Sequence, residues 1–268
     1  MKNTPGNERI FWDSRARNYP LPFEAATLPK TSRILRLLSR QGVVFTGRDI
    51  LDIGCGTGIY ALTLAEKAGK VLGIDSSPAM LRVFRAQARA RKIRNARCRT
   101  AAWAKVPAAE LRKVFDIALA SMTMAIKGKA DLLKMEAAAR ERCVYIGWAG
   151  VRKNSLLEAV YSRHGLKYKA PEGAGRVLKS LRAMGRRPRV KFIKDSWAKT
   201  AAPGTVLREI AVNMKVNGAR LDRPWTEAFL KRRTRGGEIR QVTRVRKALI
   251  TWQPPARSRV KTKQRTAP

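Results

Sequence analysis

Three regularly spaced glycines and two carboxylates in the first third of the chain are the residues best suited to hold a ligand. Residues 50–53 read as a buried strand with an acid at its third position, and Gly54, Gly56 and Gly58 follow it. Glycine has no Cβ and tolerates positive φ, so such a turn lets the backbone approach a ligand closely. Asp75 ends a second apolar run, 21 residues after Gly54. An acid at that distance can accept hydrogen bonds from both hydroxyls of an adenosine ribose.

The spacing of the glycines separates two classes of nucleotide-binding turn. Dinucleotide folds use Gly-x-Gly-x-x-Gly, whose third glycine lets the helix pack against the strand. Here Ile59 occupies that third position, and Gly58 comes one residue too early. The Gly-x-Gly-x-Gly pattern after the acidic strand end at Asp52 instead resembles motif I of the class I S-adenosylmethionine-dependent methyltransferases.

Apolar runs and helical patterns alternate through the first 150 residues. Strands that alternate with helices at this spacing predict an α/β fold with a doubly wound, mostly parallel sheet. The predicted strands are residues 49–53, 71–74, 96–100, 115–120, 143–148, 188–194 and 244–252, and the predicted helices are residues 28–41, 60–68, 78–91, 131–140, 154–164, 173–184, 204–216 and 224–232.

The resemblance implies the overall organisation of the chain. Class I methyltransferases have a Rossmann-like, seven-stranded sheet that ends in an antiparallel strand pair, which the last two predicted strands could form. We therefore expect one methyltransferase domain over residues 1–253. Its predicted parts are an N-terminal arm and helix (residues 1–45), a cofactor-binding core (46–150), and a C-terminal sheet half with a substrate lid (151–253). Residues 254–268 are basic and Pro-rich with little to bury, which predicts a disordered tail.

The third and fourth strand ends carry the next expected contacts. Methyltransferases of this class often place an Asp after the third strand to bind the adenine amino group, but this chain has Ala102 there. The backbone could still form hydrogen bonds with the adenine edge. Trp103 could either pack on the adenine ring or belong to the core. Ser121 and Met122 end the fourth strand, where such enzymes bring the methyl group and its acceptor together.

Two further segments resemble parts of an uncharacterised methyltransferase-domain family. Residues 11–19 are similar to its N-terminal segment, which folds over the cofactor. Residues 194–197 are similar to an insertion that walls the acceptor pocket, although Trp197 could equally be a packing anchor. The resemblance implies S-adenosyl-L-methionine as the cofactor. The predicted cofactor-binding residues are Tyr19, Asp52, Gly54, Cys55, Gly56, Thr57, Gly58, Asp75, Ser76, Met80, Ala102, Trp103, Ser121 and Met122.

Methyl transfer places few demands on side chains. A sulfonium donor is activated by its own charge, so the cofactor carries the difficult chemistry and the protein aligns the acceptor. A general base is needed only if the acceptor must lose a proton. We assign no catalytic residue: His164, the only histidine, lies at a helix end, where a C-terminal cap is a better role than a general base. Acids are scarce, so no metal site is predicted.

The charge of the chain leaves the acceptor open. There are 58 Lys and Arg residues against 19 Asp and Glu, a formal net charge of +39. Such a surface attracts polyanions, and nucleic acid is the usual one. The alternatives are that the excess merely solvates exposed faces, or that it serves an anionic membrane surface. A small-molecule acceptor is the leading hypothesis, and a methyltransferase-like protein that binds or methylates nucleic acid is the second.

Cysteine usage and hydropathy predict a cytoplasmic protein. Cys55, Cys98 and Cys143 are far apart and odd in number, which suits a reducing compartment. No apolar run approaches the roughly 20 residues that span a bilayer, and the N-terminal residues have no apolar signal core. The oligomeric state is left open.

Overall fold

The computed structural model describes residues 5–171 and 173–255, and its elements alternate as expected in the first half. In chain order they are α1 (Pro5–Arg15), α2 (Leu28–Ser39), β1 (Ile50–Ile53), α3 (Ile59–Ala65), β2 (Val71–Asp75), α4 (Pro78–Ala90), β3 (Ala96–Thr100), α5 (Ala108–Leu111), β4 (Phe115–Ser121), α6 (Lys129–Ala138), β5 (Ala139–Lys153), α7 (Ser155–Arg163), α8 (Ala174–Ala183), β6 (Arg189–Ala201), α9 (Pro203–Val216), α10 (Arg223–Lys231) and β7 (Ile239–Trp252). The described part contains no helix that is both long and apolar enough to cross a membrane.

One seven-stranded sheet organises the protein, in the order β3-β2-β1-β4-β5-β7-β6. The first five strands pair in parallel, whereas β7 is antiparallel to both of its neighbours. This confirms the predicted mostly parallel, Rossmann-like sheet with antiparallel C-terminal strands. Strand order reverses between β1 and β4. In open α/β sheets ligands bind outside the carboxyl ends of the strands at such a switch point.

Burial explains why the central strands were easy to recognise. All four residues of β1 are buried, because it lies between two strands and beneath helices on both faces. Ile50 aligns with Val71 of β2 and with Ile117 of β4. Separate apolar clusters fill the two faces, and a third cluster joins α7, α9 and α10 to the start of β7. Parallel strands buried on both faces read as continuous apolar runs.

The predicted N-terminal arm contains a helix, α1, that is fastened to the start of α4. Oδ1 of Asp13 accepts hydrogen bonds from Oγ of Ser77 at 2.6 Å and from the backbone N–H of Ala79 at 3.1 Å. Ser77 also caps α4, since its Oγ accepts from the backbone N–H of Met80 at 3.1 Å. These contacts place α1 above the carboxyl ends of β1 and β2.

The last three strands are longer than the apolar runs that predicted them. The β6–β7 pairing is continuous from Arg189↔Thr251 to Ala201↔Ile239, through many polar residues. Residues 194–197, expected as an insertion, lie within β6. The predicted subdivision at residue 150 falls inside β5 and stays a prediction. Most of the predicted disordered tail, residues 256–268, lies outside the described residues.

Candidate active site

A cavity of about 650 Å³ opens above the carboxyl ends of β1, β2 and β4. Twelve of the fourteen predicted cofactor-binding residues line it: Tyr19, Asp52, Gly54, Cys55, Gly56, Asp75, Ser76, Met80, Ala102, Trp103, Ser121 and Met122. Thr57 and Gly58 do not. Thr57 is buried and its Oγ1 donates to the carbonyl of Pro20 at 2.8 Å, and Gly58 is the N-cap of α3. Both residues therefore belong to the turn but not to the cavity wall.

The three glycines of the turn serve different purposes. All have positive φ, at 72° for Gly54, 55° for Gly56 and 92° for Gly58. A Cβ on Gly54 would collide with the side chain of Thr123, and one on Gly58 would lie 2.7 Å from the ring of Phe84. At Gly56 the nearest atom to such a Cβ would be in Tyr19, at 4.0 Å. Packing therefore requires the outer two glycines, while Gly56 faces the open cavity.

Asp52 and Asp75 flank the glycine turn; Asp52 is buried and Asp75 is partly buried. Asp52 is 2% exposed, and its Oδ1 has no hydrogen-bond partner among the described residues. Burial, aided by the nearby charge of Asp75, raises the pKa of Asp52 to about 7. Burial also raises the pKa of Asp75, whose carboxylate accepts from the backbone N–H of Gly56 at 2.9 Å and of Ser77 at 2.8 Å. Since Ser77 caps α4, Asp75 is free of that role.

Carboxylates are concentrated in the cavity although the protein is strongly basic. Of the described residues, six acids and three lysines line it, against 19 acids and 58 basic residues in the whole chain. The acids are Glu8, Glu24, Asp52, Asp75, Asp131 and Asp195, and the lysines are Lys30, Lys127 and Lys247. Lys127 pairs with Glu8 at 2.7 Å. The cavity is therefore a negatively charged site within a positively charged surface, which suits a cationic ligand.

Trp103 belongs to both environments that the sequence left open. Trp103 is 3% exposed and packs in the core cluster with Ile74 and Leu111. It also lines the cavity. Nζ of Lys134 donates to the Trp103 carbonyl at 2.5 Å and lies 4.8 Å from the centre of its ring. The ring is therefore held firmly beside Ala102, where the expected acid is absent.

The other end of the cavity contains residues that sequence reasoning did not assign to the site. Lys30 of α2, Trp148 of β5 and Lys247 of β7 line it together with Trp197, whereas Trp12 of α1 lines the cavity beside Tyr19. Trp12 and Trp197 lie in segments that the resemblance singled out. The two lysines lie 217 positions apart in the sequence and come together only through tertiary folding, so no local signal marks them.

His164 is not among the residues that line the cavity. His164 is the C-cap of α7; its Nε2 accepts from the backbone N–H of Asp222 at 2.9 Å, so Nδ1 carries the proton and donates to the Val160 carbonyl at 2.7 Å. This agrees with the interpretation of His164 as a cap. Within residues 5–171 and 173–255, no three His, Cys, Asp or Glu side chains are grouped as metal ligands would be.

Comparison with known proteins identifies the class of the central segment. Residues 50–142 match the family model described as a methyltransferase domain. The match covers about a third of the chain, and the sheet order and the glycine turn around it resemble those of class I methyltransferases.

Curated relatives share only part of the chain. The ribosomal protein L11 methyltransferase of Xylella fastidiosa is 44% identical over 72 residues, 25% of this chain and 23% of that protein. The ubiquinone biosynthesis O-methyltransferase of Pasteurella multocida is 41% identical over 54 residues, 20% of this chain and 22% of that protein. The chain thus spans less than a quarter of the length of either relative.

Solved structures share the fold over most of the chain. Magnesium protoporphyrin IX methyltransferase from Synechocystis PCC 6803, solved with bound S-adenosylhomocysteine, covers 93% of this chain and 99% of its own, with a TM-score of 0.54 and 13% identity. The YcgJ protein of Bacillus subtilis covers 83% of this chain and 98% of its own, with a TM-score of 0.52 and 13% identity.

Proposed function

We propose that this protein is an S-adenosylmethionine-dependent methyltransferase that methylates a small-molecule acceptor. The observation that carries the proposal is the pair Asp52 and Asp75 on either side of the glycine turn, inside a cavity rich in carboxylates. S-adenosylmethionine is a cation with an adenosine ribose, a sulfonium and an amino acid end. Its binding would supply hydrogen-bond donors from the ribose hydroxyls, and a positive charge, to these carboxylates.

The residues present fit such a cofactor. Each oxygen of Asp75 already accepts one backbone hydrogen bond, but an ionised carboxylate has about four acceptor sites. It can therefore accept ribose hydroxyls without losing its support. Asp52 offers a buried oxygen with no partner among the described residues, which an ammonium group would satisfy. The open space over Gly56 lets a ligand lie against the backbone.

When bound, the cofactor would supply an activated methyl group, and the chain would supply alignment and exclusion of water. Tyr19 and Trp12 cover the cavity from the N-terminal side. Met122, the residue after the end of β4, itself has a left-handed backbone conformation with φ 50° beside Ser121. Burial raises the pKa of the cavity-lining Tyr60, so its hydroxyl keeps its proton at neutral pH. We assign no general base.

The size and charge of the cavity favour a small acceptor. A volume of about 650 Å³ lies within the range of ordinary ligand pockets. Its excess of carboxylates would repel a phosphate backbone, so a nucleic acid chain is a poor candidate for entry. The family match and the shared fold support the reaction class, and they leave the identity of the acceptor to experiment.

Calorimetry with S-adenosylhomocysteine and S-adenosylmethionine tests the proposal. We expect saturable binding by the full chain. Asp75→Asn should weaken binding by about 10-fold or more, because charge-assisted hydrogen bonds to the ribose are lost. Glu227→Gln is the matched control: Glu227 is an exposed acid paired with Arg223 on α10, so its affinity should equal that of the wild type. Absence of binding at millimolar ligand would overturn the proposal. Labelled cofactor and cell extracts would then reveal the acceptor.

A second candidate function is polyanion binding outside the cavity. Paired positions on one face of β6, β7 and the end of β5 carry Lys153, Lys194, Arg240, Arg244 and Arg246. All five are exposed, and none of the residues paired with them is acidic. Fluorescence anisotropy with a single-stranded RNA tests it: affinity should fall steeply with salt and should drop further in a Lys194→Ala, Arg246→Ala double variant. Equal binding by the double variant would overturn this second candidate.

A further inference from the structure

The cavity extends well beyond the strands that would hold the cofactor. The predicted cofactor contacts lie on the N-terminal arm and at the ends of β1 to β4, which form one half of the sheet. Beyond β4, in the other half, five residues form the cavity wall. We call them the acceptor end: Lys30, Trp148, Asp195, Trp197 and Lys247. They come from α2, β5, β6 and β7, so only the finished sheet brings them together.

The acceptor end has one more positive than negative charge. Nζ of Lys247 lies 2.6 Å from Oδ2 of Asp195, and both side chains are only 16% exposed. Burial alone would raise the pKa of Asp195, but the contacts with Lys247 and Lys30 outweigh that effect. The pKa therefore lies below its ordinary value, and the carboxylate is ionised at neutral pH. Lys30 lies on the other side, with Nζ 3.9 Å from Oδ1 of Asp195 and 3.1 Å from the Ser196 carbonyl that it donates to. Asp195 neutralises one ammonium, and the second charge is left over.

Lys30 is the group with which a ligand could interact. Its side chain is half-exposed, whereas the close contact with Asp195 occupies Lys247. An incoming anion could therefore exchange the water around Lys30 for a direct contact without breaking the tighter ion pair. This local excess contrasts with the carboxylates around the glycine turn, so the cavity has an anionic cofactor half and a cationic acceptor end.

An uncovered aromatic surface lies beside these charges. The rings of Trp148 and Trp197 meet edge to face, with centroids 6.3 Å apart. Trp197 is 37% exposed although it forms part of the cavity wall. Indole rings bind flat apolar groups well because they bury a large area with little loss of side-chain freedom. A tryptophan face also attracts cations, but two ammonium groups nearby oppose a cationic ligand here.

We propose, on the basis of the function proposed above, that the acceptor is an aromatic small molecule with an anionic substituent. Its ring packs on Trp197 and its anionic group pairs with Lys30. The methyl-accepting atom then faces Ser121, which ends β4 between the acceptor end and the glycine turn. Neutral and cationic aromatic molecules of the same shape bind less well, because they leave the charge of Lys30 uncompensated or repel it.

Three matched probes test this specificity: 1-naphthoate, naphthalene-1-carboxamide and 1-naphthylmethylamine, which share one ring system and differ in charge. Binding to the full chain is measured by calorimetry, with and without saturating S-adenosylhomocysteine. We expect the carboxylate to bind at least about 5-fold more tightly than the amide, and the amine to bind most weakly. Equal affinities, a preference for the amine, or no binding of any probe would overturn the proposal.

Variants assign the preference to its residues. Lys30→Gln should remove the advantage of the carboxylate and leave the amide unchanged, whereas Trp197→Ala should weaken all three probes by similar factors. Lys215→Gln is the control, since Lys215 is an exposed lysine in the last turn of α9 and does not line the cavity. A carboxylate preference that survives Lys30→Gln would overturn the proposal. S-adenosylhomocysteine binding is measured separately in each variant. If the wild type does not bind S-adenosylhomocysteine, the cofactor assignment is refuted. The affinities of the three probes measured without S-adenosylhomocysteine still test the acceptor class in that case.

Discussion

The carboxylate of Asp75 accepts a hydrogen bond from the backbone N–H of Gly56 at 2.9 Å. This bond joins the end of β2 to the glycine turn that follows β1, so the two predicted cofactor elements form one unit. The residue that would bind ribose also holds the turn on which the rest of the cofactor would lie. A change at either residue should therefore affect both.

The first glycine of the turn should be the least tolerant of substitution. Gly54→Ala combines positive φ with a collision against Thr123, and we expect a loss of about 2–4 kcal/mol in the free energy of unfolding. Gly47→Ala is the matched control: its φ is 71°, close to that of Gly54, but a Cβ there would meet nothing within 4 Å. It should lose only about 1 kcal/mol. Urea unfolding measures both, and equal losses would show that the collision with Thr123 is unimportant.

Asp52 should make the protein less stable as pH rises from about 4 to about 7. Its folded pKa of about 7 lies above the ordinary value near 3.9. In that window the folded state retains a proton that the unfolded state has released, so the free energy of unfolding falls with pH by up to about 4 kcal/mol. Asp52→Asn cannot ionise and should become progressively more stable than the wild type between pH 5 and pH 8. Parallel curves from urea unfolding across that range would contradict this.

Restoring the missing acid at the third strand end should strengthen cofactor binding. Ala102→Asp would place a carboxylate beside the expected adenine position, next to the fixed ring of Trp103. We expect about 10-fold tighter binding of S-adenosylhomocysteine by calorimetry, within the range for a hydrogen bond to a charged group. S-inosylhomocysteine, which lacks the adenine amino group, is the control. If Ala102→Asp strengthens binding of both ligands equally, the carboxylate at this position does not form a hydrogen bond with the adenine amino group.

A buried ion pair should contribute more to stability than an exposed one. Glu136 is 3% exposed, accepts from Arg186 at 2.8 and 2.9 Å, and accepts from Nε1 of Trp252 at 2.9 Å. Glu136→Gln leaves the guanidinium without its counter-ion, so we expect a loss of about 3–5 kcal/mol. Glu110→Gln is the control, because its pair with Arg99 is about half-exposed, and it should cost less than about 1 kcal/mol. Similar losses in urea unfolding would contradict the role of burial.

Local sequence patterns predicted the elements whose conformation depends mainly on residues close together in the chain. β1, β2 and β4 are mostly apolar runs, and α4 begins with Ser77 and Pro78, which favour a helix start. The glycine turn could be recognised because its backbone conformation demands glycine. The extra length of β6 and β7 could not, because their polar residues pair only when the two strands meet. Likewise α1 depends on the contact between Asp13 and Ser77, 64 positions away in the chain.

The cavity wall around the glycine turn was easier to predict from the sequence than the wall beyond β4. Most of the predicted cofactor contacts follow strand ends in sequence order, where local patterns mark them. Thr57 shares the motif but turns its hydroxyl to the Pro20 carbonyl, which the spacing does not reveal. Lys30 and Lys247 lie in no motif: Lys247 reaches Asp195 because β7 pairs with β6, and Lys30 reaches it from α2.

Both edges of the sheet are occupied by basic strands. β3 carries Arg97 and Arg99, and β6 carries Lys191, Lys194 and Lys199. An unpaired strand edge is a template for association with another chain, and charged side chains, above all lysines, prevent this. Two copies that met edge to edge would bring several of these positive charges close together. We therefore expect part of the +39 charge to oppose edge-to-edge association of this protein, whatever else it attracts.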